Sequence, residues 1–183
     1  MIPIFPDGAD KLNGVKYPMK HIIRDFQPTN NQDIIRITLS AFNQYKDQYT
    51  DWQTFSKNLE NVATQATQAT LGELLVATLN NNVVGAVVYV PPTKTTNFFP
   101  AGGAVIRMLV VDPKYRGLGI GKSLTEKCLE YAARDLAPFI SLHTSPIMKI
   151  ALSMYLRMGF KFEQEVSPIC GAPYNIYIKH LEV

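Results

Sequence analysis

Between an apolar stretch, Ala104 to Val111, and a helix-patterned one, Ser123 to Leu136, lies Asp112-Pro113-Lys114-Tyr115-Arg116-Gly117-Leu118-Gly119-Ile120-Gly121-Lys122. Glycine at every second position from Gly117 to Gly121 lets bare backbone N–H groups converge where a strand hands over to a helix. That convergence at a helix N-terminus suits an anion, most often a phosphate. The other reading of the glycines, a tight strand-to-helix turn without a ligand, stays open on this run alone.

Two familiar phosphate loops fail here. The mononucleotide loop G-x-x-x-x-G-K-[ST] finds its end in Gly121-Lys122-Ser123, but its first glycine falls on Arg116. The dinucleotide pattern G-x-G-x-x-G meets Lys122 when started at Gly117 and Leu124 when started at Gly119.

What fits is R-x-x-G-x-G, read as Arg116-Gly117-Leu118-Gly119-Ile120-Gly121. A second signature follows, Ala151-Leu152-Ser153-Met154-Tyr155-Leu156-Arg157-Met158-Gly159-Phe160, which matches A-x-x-[LF]-Y-x-x-x-G-F with Met154 at the Leu/Phe place. Together they resemble the Gcn5-related N-acetyltransferase (GNAT) superfamily over roughly residues 73 to 181. The family often has Asn three residues before the Ala, where this chain has Met148. In that respect it resembles the subset carrying a sequence like Leu142-His143-Thr144-Ser145-Pro146 followed by Met148.

The resemblance implies a mixed αβ fold, a twisted and mostly antiparallel sheet with a central parallel strand pair, flanked by helices. It implies acetyl-CoA as co-substrate and direct acetyl transfer to a primary amine in a ternary complex, with no metal. Amides of Leu118, Ile120 and Lys122 would hold the pyrophosphate, with Gly117, Gly119 and Gly121 allowing close approach and Arg116 completing the loop. Backbone groups of Leu109, Val110 and Val111 would pair with the pantetheine arm and polarise the thioester carbonyl. Tyr155 would be the general acid beside the sulfur, since a phenol with a pKa near ~10 is protonated at neutral pH. A plain packing role for Tyr155 on the last strands is the competing reading. The alternative to an enzyme is an acyl-CoA-binding sensor or structural module, which the missing strand carboxylate and Met148 keep open.

The general base is not legible. Ala104 to Val111 holds no carboxylate, and Glu73, His143 and a water chain are candidates of which none is favoured. For His143 a strand histidine satisfied by core hydrogen bonds is the readier reading than catalysis. The acceptor would be shaped by residues 29–72 and 93–103, outside the well-matched part, and its identity is not legible either.

With 183 residues, 46% of them hydrophobic and 18% charged, the chain suits one folded domain. We expect an irregular arm over residues 1–19 and a single domain over 20–183. A net charge of +3 without a basic block argues against nucleic acid, while Lys114, Arg116 and Lys122 would locally attract CoA phosphates. Cys128 and Cys170 have no metal-ligand spacing, and Cys128 reads as an apolar helix filler. Pro3, Pro6 and Pro18 interrupt the N-terminus, which does not resemble a signal peptide, and no apolar run is long enough to span a membrane. A cytoplasmic protein is the default expectation. Family members often dimerise, so a homodimer is open.

Along the chain, His21 to Phe26 reads as a first strand and Thr29 or Asn30 as the cap of a helix carrying Ile34, Ile37 and Phe42. Trp52 to Thr70 reads as a second helix. Glu73 to Leu79 and Val83 to Val90 read as a hairpin turned by Asn80-Asn81-Asn82. Thr93 to Gly103 is a loop whose Phe98 and Phe99 either meet a ligand or fold onto the core. A strand from Phe139 to Thr144 and a helix opened by Pro146 and closed by Gly159 follow. Phe160 to Val166 and Tyr174 to Leu181 close the order as two strands with a loop through Pro168, Gly171 and Pro173.

Overall fold

The computed structural model describes residues 9–12, 15–18, 20–94 and 98–182. Part of the expected N-terminal arm and the loop residues 95–97 lie outside the described residues. Within the arm, Ala9–Leu12 (β1) and Val15–Pro18 (β2) pair antiparallel as a separate two-stranded sheet, where irregular chain was expected.

The main sheet has seven strands: Ile22–Asp25 (β3), Glu73–Leu79 (β4), Asn82–Val90 (β5), Ala104–Val111 (β6), Phe139–Thr144 (β7), Lys161–Ile169 (β8) and Ala172–His180 (β9). Their spatial order is β3-β4-β5-β6-β7-β9-β8, with only β6 and β7 parallel. Helices Asn31–Asn43 (α1) and Trp52–Thr67 (α2) precede β4; Ile120–Arg134 (α3) follows β6, and Lys149–Arg157 (α4) follows β7. The expected mixed αβ architecture with a central parallel pair is the one observed.

Local chemistry explains most element ends. Asn80 and Asn81 take φ of 49° and 65°, so β4 and β5 join through a two-residue turn with both central residues left-handed. Gly159, at φ 89°, ends α4: the Gly159 N–H donates to Leu156 O and the Phe160 N–H to Tyr155 O, the paired bonds of a Schellman cap. The expected loop between the last two strands is shorter than foreseen. β8 and β9 run on to Cys170-Gly171, and Pro168 falls where the register of edge strand β8 shifts. Proline is tolerated there because a bulge on an edge strand has no ladder donor to lose.

The sheet buries both faces. Leu75, Tyr89, Ile106, Leu124, Cys128, Leu142 and Phe160 pack on the α3/α4 side. Ile34, Ile37, Ala63, Val76, Val105, Ile176 and Ile178 pack on the α1/α2 side. Ala63 and Ala66 of the short Ala-Thr-Gln repeat face this second core, so the repeat is a packed helix end.

Candidate active site

The local geometry of β6 creates the site. Ala104, Val105 and Ile106 pair with Ile140, Ser141 and Leu142 of β7, and the ladder stops there. One residue later β6 bulges: its register on β5 jumps between Val88↔Arg107 and Ala86↔Val110, and Met108 takes φ 50°. A left-handed methionine costs about 1–2 kcal/mol, and such strain concentrates at functional positions. Beyond the bulge β6 and β7 part. The Asp112 N–H donates to Val84 O on β5. Backbone direction alternates along a strand, so the Val110 amide also faces β5, while the Leu109 and Val111 amides face the open gap.

The glycine run stands at the mouth of this gap. Gly117 and Gly119 have φ of 80° and 76°, a conformation that demands glycine. Gly119 is the N-cap of α3 and makes no side-chain cap bond. The Ser123 N–H donates to Gly119 O, so the amides of Ile120, Gly121 and Lys122 are the first-turn donors without an intrahelical acceptor. No acidic residue lies in that turn, leaving the positive end of the helix dipole unneutralised. Gly121 differs from the other two. A Cβ built on it would lie 3.6 Å from Met154 Sδ and 3.7 Å from Leu109, an ordinary contact.

Fork and loop open into one cleft of about 730 Å³. Of the residues singled out in the sequence, Leu109, Val110, Val111, Arg116, Gly117, Gly119, Ile120, Gly121 and Lys122 line it. Leu118 does not; its side chain is exposed on the outer side of the loop. Tyr155 does not line it either. Its side chain is buried in the α3/α4 core, edge-on to Phe160 with ring centroids 5.7 Å apart, in the same packed group as Leu109, Val111 and Met154. Burial pushes the Tyr155 phenol pKa well above its ordinary value, so it stays protonated.

The structure gives a place at the site to residues that the sequence had not assigned to it. Phe42 and Tyr45 from the end of α1, and Met148 and Met154 on the α4 side, form the cleft's apolar walls. Met148 holds the place where the family often has Asn; Thr144 Oγ1 donates to its sulfur at 3.8 Å. Asp112 anchors the loop. Its carboxylate accepts from the Lys114 N–H at 3.0 Å and pairs with Arg36 of α1 at 3.0 Å. Arg116 Nη2 in turn donates to Ala41 O at 3.0 Å, at the end of α1. Together they fasten the loop to α1 from both sides. Lys122 pairs with Glu126 on the helix surface, 3.3 Å away.

The three candidate bases fare differently. Glu73 sits at the far end of β4 in an ion pair with Arg134 at 2.8 Å. His143 lies on β7 beside the fork, ringed by Phe98, Phe99 and Tyr174 at centroid distances of 5.3, 5.5 and 5.5 Å. The expectation of a satisfied core histidine does not hold, because its Nδ1 is buried with no hydrogen-bond partner. Burial, helped by the Arg107 charge, pulls its pKa down to about 4. A neutral imidazole at that pKa is a weak base.

That depression predicts a stability change with a defined sign. The folded value lies below the ordinary 6.5, so the unfolded chain takes up the proton first. The contribution of neutral His143 is complete above pH 6.5 and is lost as pH falls toward 4, amounting to about 3 kcal/mol. Urea unfolding at pH 7 and pH 4.5 will show a smaller acid loss for His143→Phe than for the wild type. Parallel losses would remove His143 from the account.

Among the described residues, no group of three or more His, Cys, Asp or Glu side chains could hold a metal ion, and no helix is long and apolar enough to cross a membrane.

Comparison with known proteins gives the same direction. The acetyltransferase (GNAT) family model matches residues 32–160. N-acetyltransferase 8F1 of Rattus norvegicus is 33% identical over 92 residues, 49% of this chain and 40% of the relative. An uncharacterized N-acetyltransferase of Methanocaldococcus jannaschii is 40% identical over 63 residues, 34% of this chain and 27% of the relative. The chain therefore spans less than half the length of these curated relatives. A putative acetyltransferase of Salmonella typhimurium, solved with acetyl-CoA, superposes with a TM-score of 0.67 at 15% identity, covering 88% of this chain and 94% of that one. A Pyrococcus horikoshii structure gives 0.68 at 18% identity, covering 90% and 100%.

Proposed function

The chain belongs to the GNAT acetyltransferase family, and on that premise we propose that residues 20–183 act as one domain transferring an acetyl group from acetyl-CoA to a primary amine by direct attack. The observation that carries this reading is the single cleft shared by the free amides of the α3 first turn and the parted strand at Leu109 to Val111. One end offers donors and a helix dipole for a pyrophosphate. The other offers unpaired strand groups for an amide-bearing arm, as in strand addition.

In this reading the amides of Ile120, Gly121 and Lys122 bind the pyrophosphate, with Gly117 and Gly119 holding the turn open. Leu118 contributes its backbone only. Arg116 acts through Ala41 O, setting the loop against α1. The Leu109 and Val111 amides hold the pantetheine and the thioester carbonyl; one such donor aimed at the developing oxyanion is worth about 3 kcal/mol. The amine lone pair attacks the carbonyl carbon and forms the C–N bond as the C–S bond breaks. The thiolate takes the Tyr155 proton, which solvent replaces, and the amine releases one proton to water. Tyr155 donates from the core side of the fork, in the packed group against which Leu109 and Val111 also lie. Its burial supports a phenol that is always protonated and a leaving group kept from bulk water.

Calorimetric titration with acetyl-CoA, followed by a free-thiol release assay over an amine panel, tests the proposal. Saturable binding with thiol release for at least one primary amine is expected. Binding with no release for any amine or peptide would make this an acyl-CoA-binding module, and no binding at all would overturn the donor assignment.

A further inference from the structure

The fork has a second face. Arg107 and His143 follow the last paired residues of β6 and β7, Ile106↔Leu142. Alternation along each strand puts both side chains on the α1/α2 side with Val105 and Ser141, opposite the face that carries Leu109 and Tyr155. Only Met108, the strained residue of the bulge, separates Arg107 from Leu109.

Arg107 is partly buried, and burial lowers its pKa. Arg36 has Asp33 and Asp112 as anionic partners and Arg134 has Glu73 and Asp135, while Arg24, Arg116 and Arg157 donate to neutral oxygens of Asp25 and Asn30, of Ala41 and of Ser153. Arg107 makes no ion pair or hydrogen bond among the described residues. Partial burial of a guanidinium without a counter-charge is costly, and a fold retains it most readily where a ligand supplies the anion. Beside it, the unpartnered Nδ1 of His143 is a second polar group with a hydrogen bond unmade. Such a group is rare enough to require a cause. The rest of the recess is aromatic: Phe98, Phe99 and Tyr174 around the imidazole, with Tyr174 fixed by a 2.7 Å hydroxyl contact to Tyr49. Phe98, 42% exposed, forms its outer edge.

We propose that this recess binds the carboxylate of the acceptor at Arg107, so that the acceptor belongs to the amino acids and related carboxylate-bearing amines with an apolar or aromatic side chain. The inference rests on the acetyl-transfer reading for the word acceptor, while the anion site stands on Arg107 and His143 themselves. A bidentate carboxylate would complete the guanidinium, the rings would pack the side chain, and the amine would be turned toward the gap beyond Met108.

Calorimetric titration of L-phenylalanine and phenethylamine, which differ only in the carboxylate, tests the recess in free and CoA-loaded protein. Phenylalanine is expected to bind at least about tenfold more tightly, a preference that falls to near unity in Arg107→Gln and survives in part in Arg107→Lys. Arg107→Gln should leave acetyl-CoA affinity unchanged and keep or raise the melting temperature, because it removes an uncompensated charge. A wild-type ratio near one, binding of neither probe, or a preference that persists in Arg107→Gln would overturn the proposal. Acetyl-CoA binding separates the two readings. If it is intact while the carboxylate preference is absent, only the recess falls; if it is absent while the preference is present, only the donor assignment falls.

Discussion

Replacing Tyr155 with phenylalanine will lower kcat by about 10²- to 10⁴-fold, the range for loss of a positioned general acid, and leave acetyl-CoA affinity within about twofold. The substitution deletes one oxygen and keeps the ring that packs on Phe160, so the fold and the cleft walls survive. Tyr155 does not line the cleft, and the phenylalanine ring keeps its packing on Phe160, so the phosphate loop is left as it stands. Thiol-release kinetics on the best amine of the panel, with the melting temperature as a check on folding, decide the matter. Unchanged turnover would return Tyr155 to a purely packing role in the α3/α4 core.

The second large effect separates glycines that look alike in sequence. Gly119→Ala must hold alanine at φ 76°, at a cost of about 1–2 kcal/mol, or rotate the cap and turn the Ile120 to Lys122 amides away from their common target. Strain that is held lowers the stability of the fold, whereas a rotated cap must be restored on binding and weakens acetyl-CoA affinity by about five- to thirtyfold, since about 1.4 kcal/mol is one decade. Gly121→Ala is the control. Its Cβ enters ordinary contact with Met154, Leu109 and Val111, and alanine inside a helix is favoured over glycine by about 1 kcal/mol. Binding should stay within several-fold of wild type and stability should hold or rise. Equal acetyl-CoA affinity and equal stability for wild type and Gly119→Ala would end the assignment of the loop to the donor.

These expectations mix what was legible in the chain with what was not. The glycine run was read as an anion loop, and the positive φ of Gly117 and Gly119 gives that reading its geometry. Gly121 was grouped with them by spacing, although its backbone makes no such demand. Leu118 was placed among the loop contacts through its amide alone, and its side chain does not line the cleft. His143 was read as more readily a satisfied strand residue than a base, and it is neither satisfied nor basic. No signal in the sequence marked Arg107, because an arginine in an apolar strand acquires meaning only from the charges absent around it.

The order of elements from β3 onward, the Asn80-Asn81 turn, the strand-to-helix loop and the Gly159 cap were legible in the chain. Each depends on backbone freedom within a few adjacent residues, so residue type is enough. Where β6 leaves β7, the bulge at Met108, the fastening of the loop to α1 by Asp112 and Arg116, and the placement of Arg107 and His143 on one face of the fork, opposite Leu109, became visible in the folded chain alone. These features arise from strand register and from contacts between segments far apart in the chain. A shift of one residue in register would exchange the two faces of the fork, and with them the sides assigned to donor and acceptor.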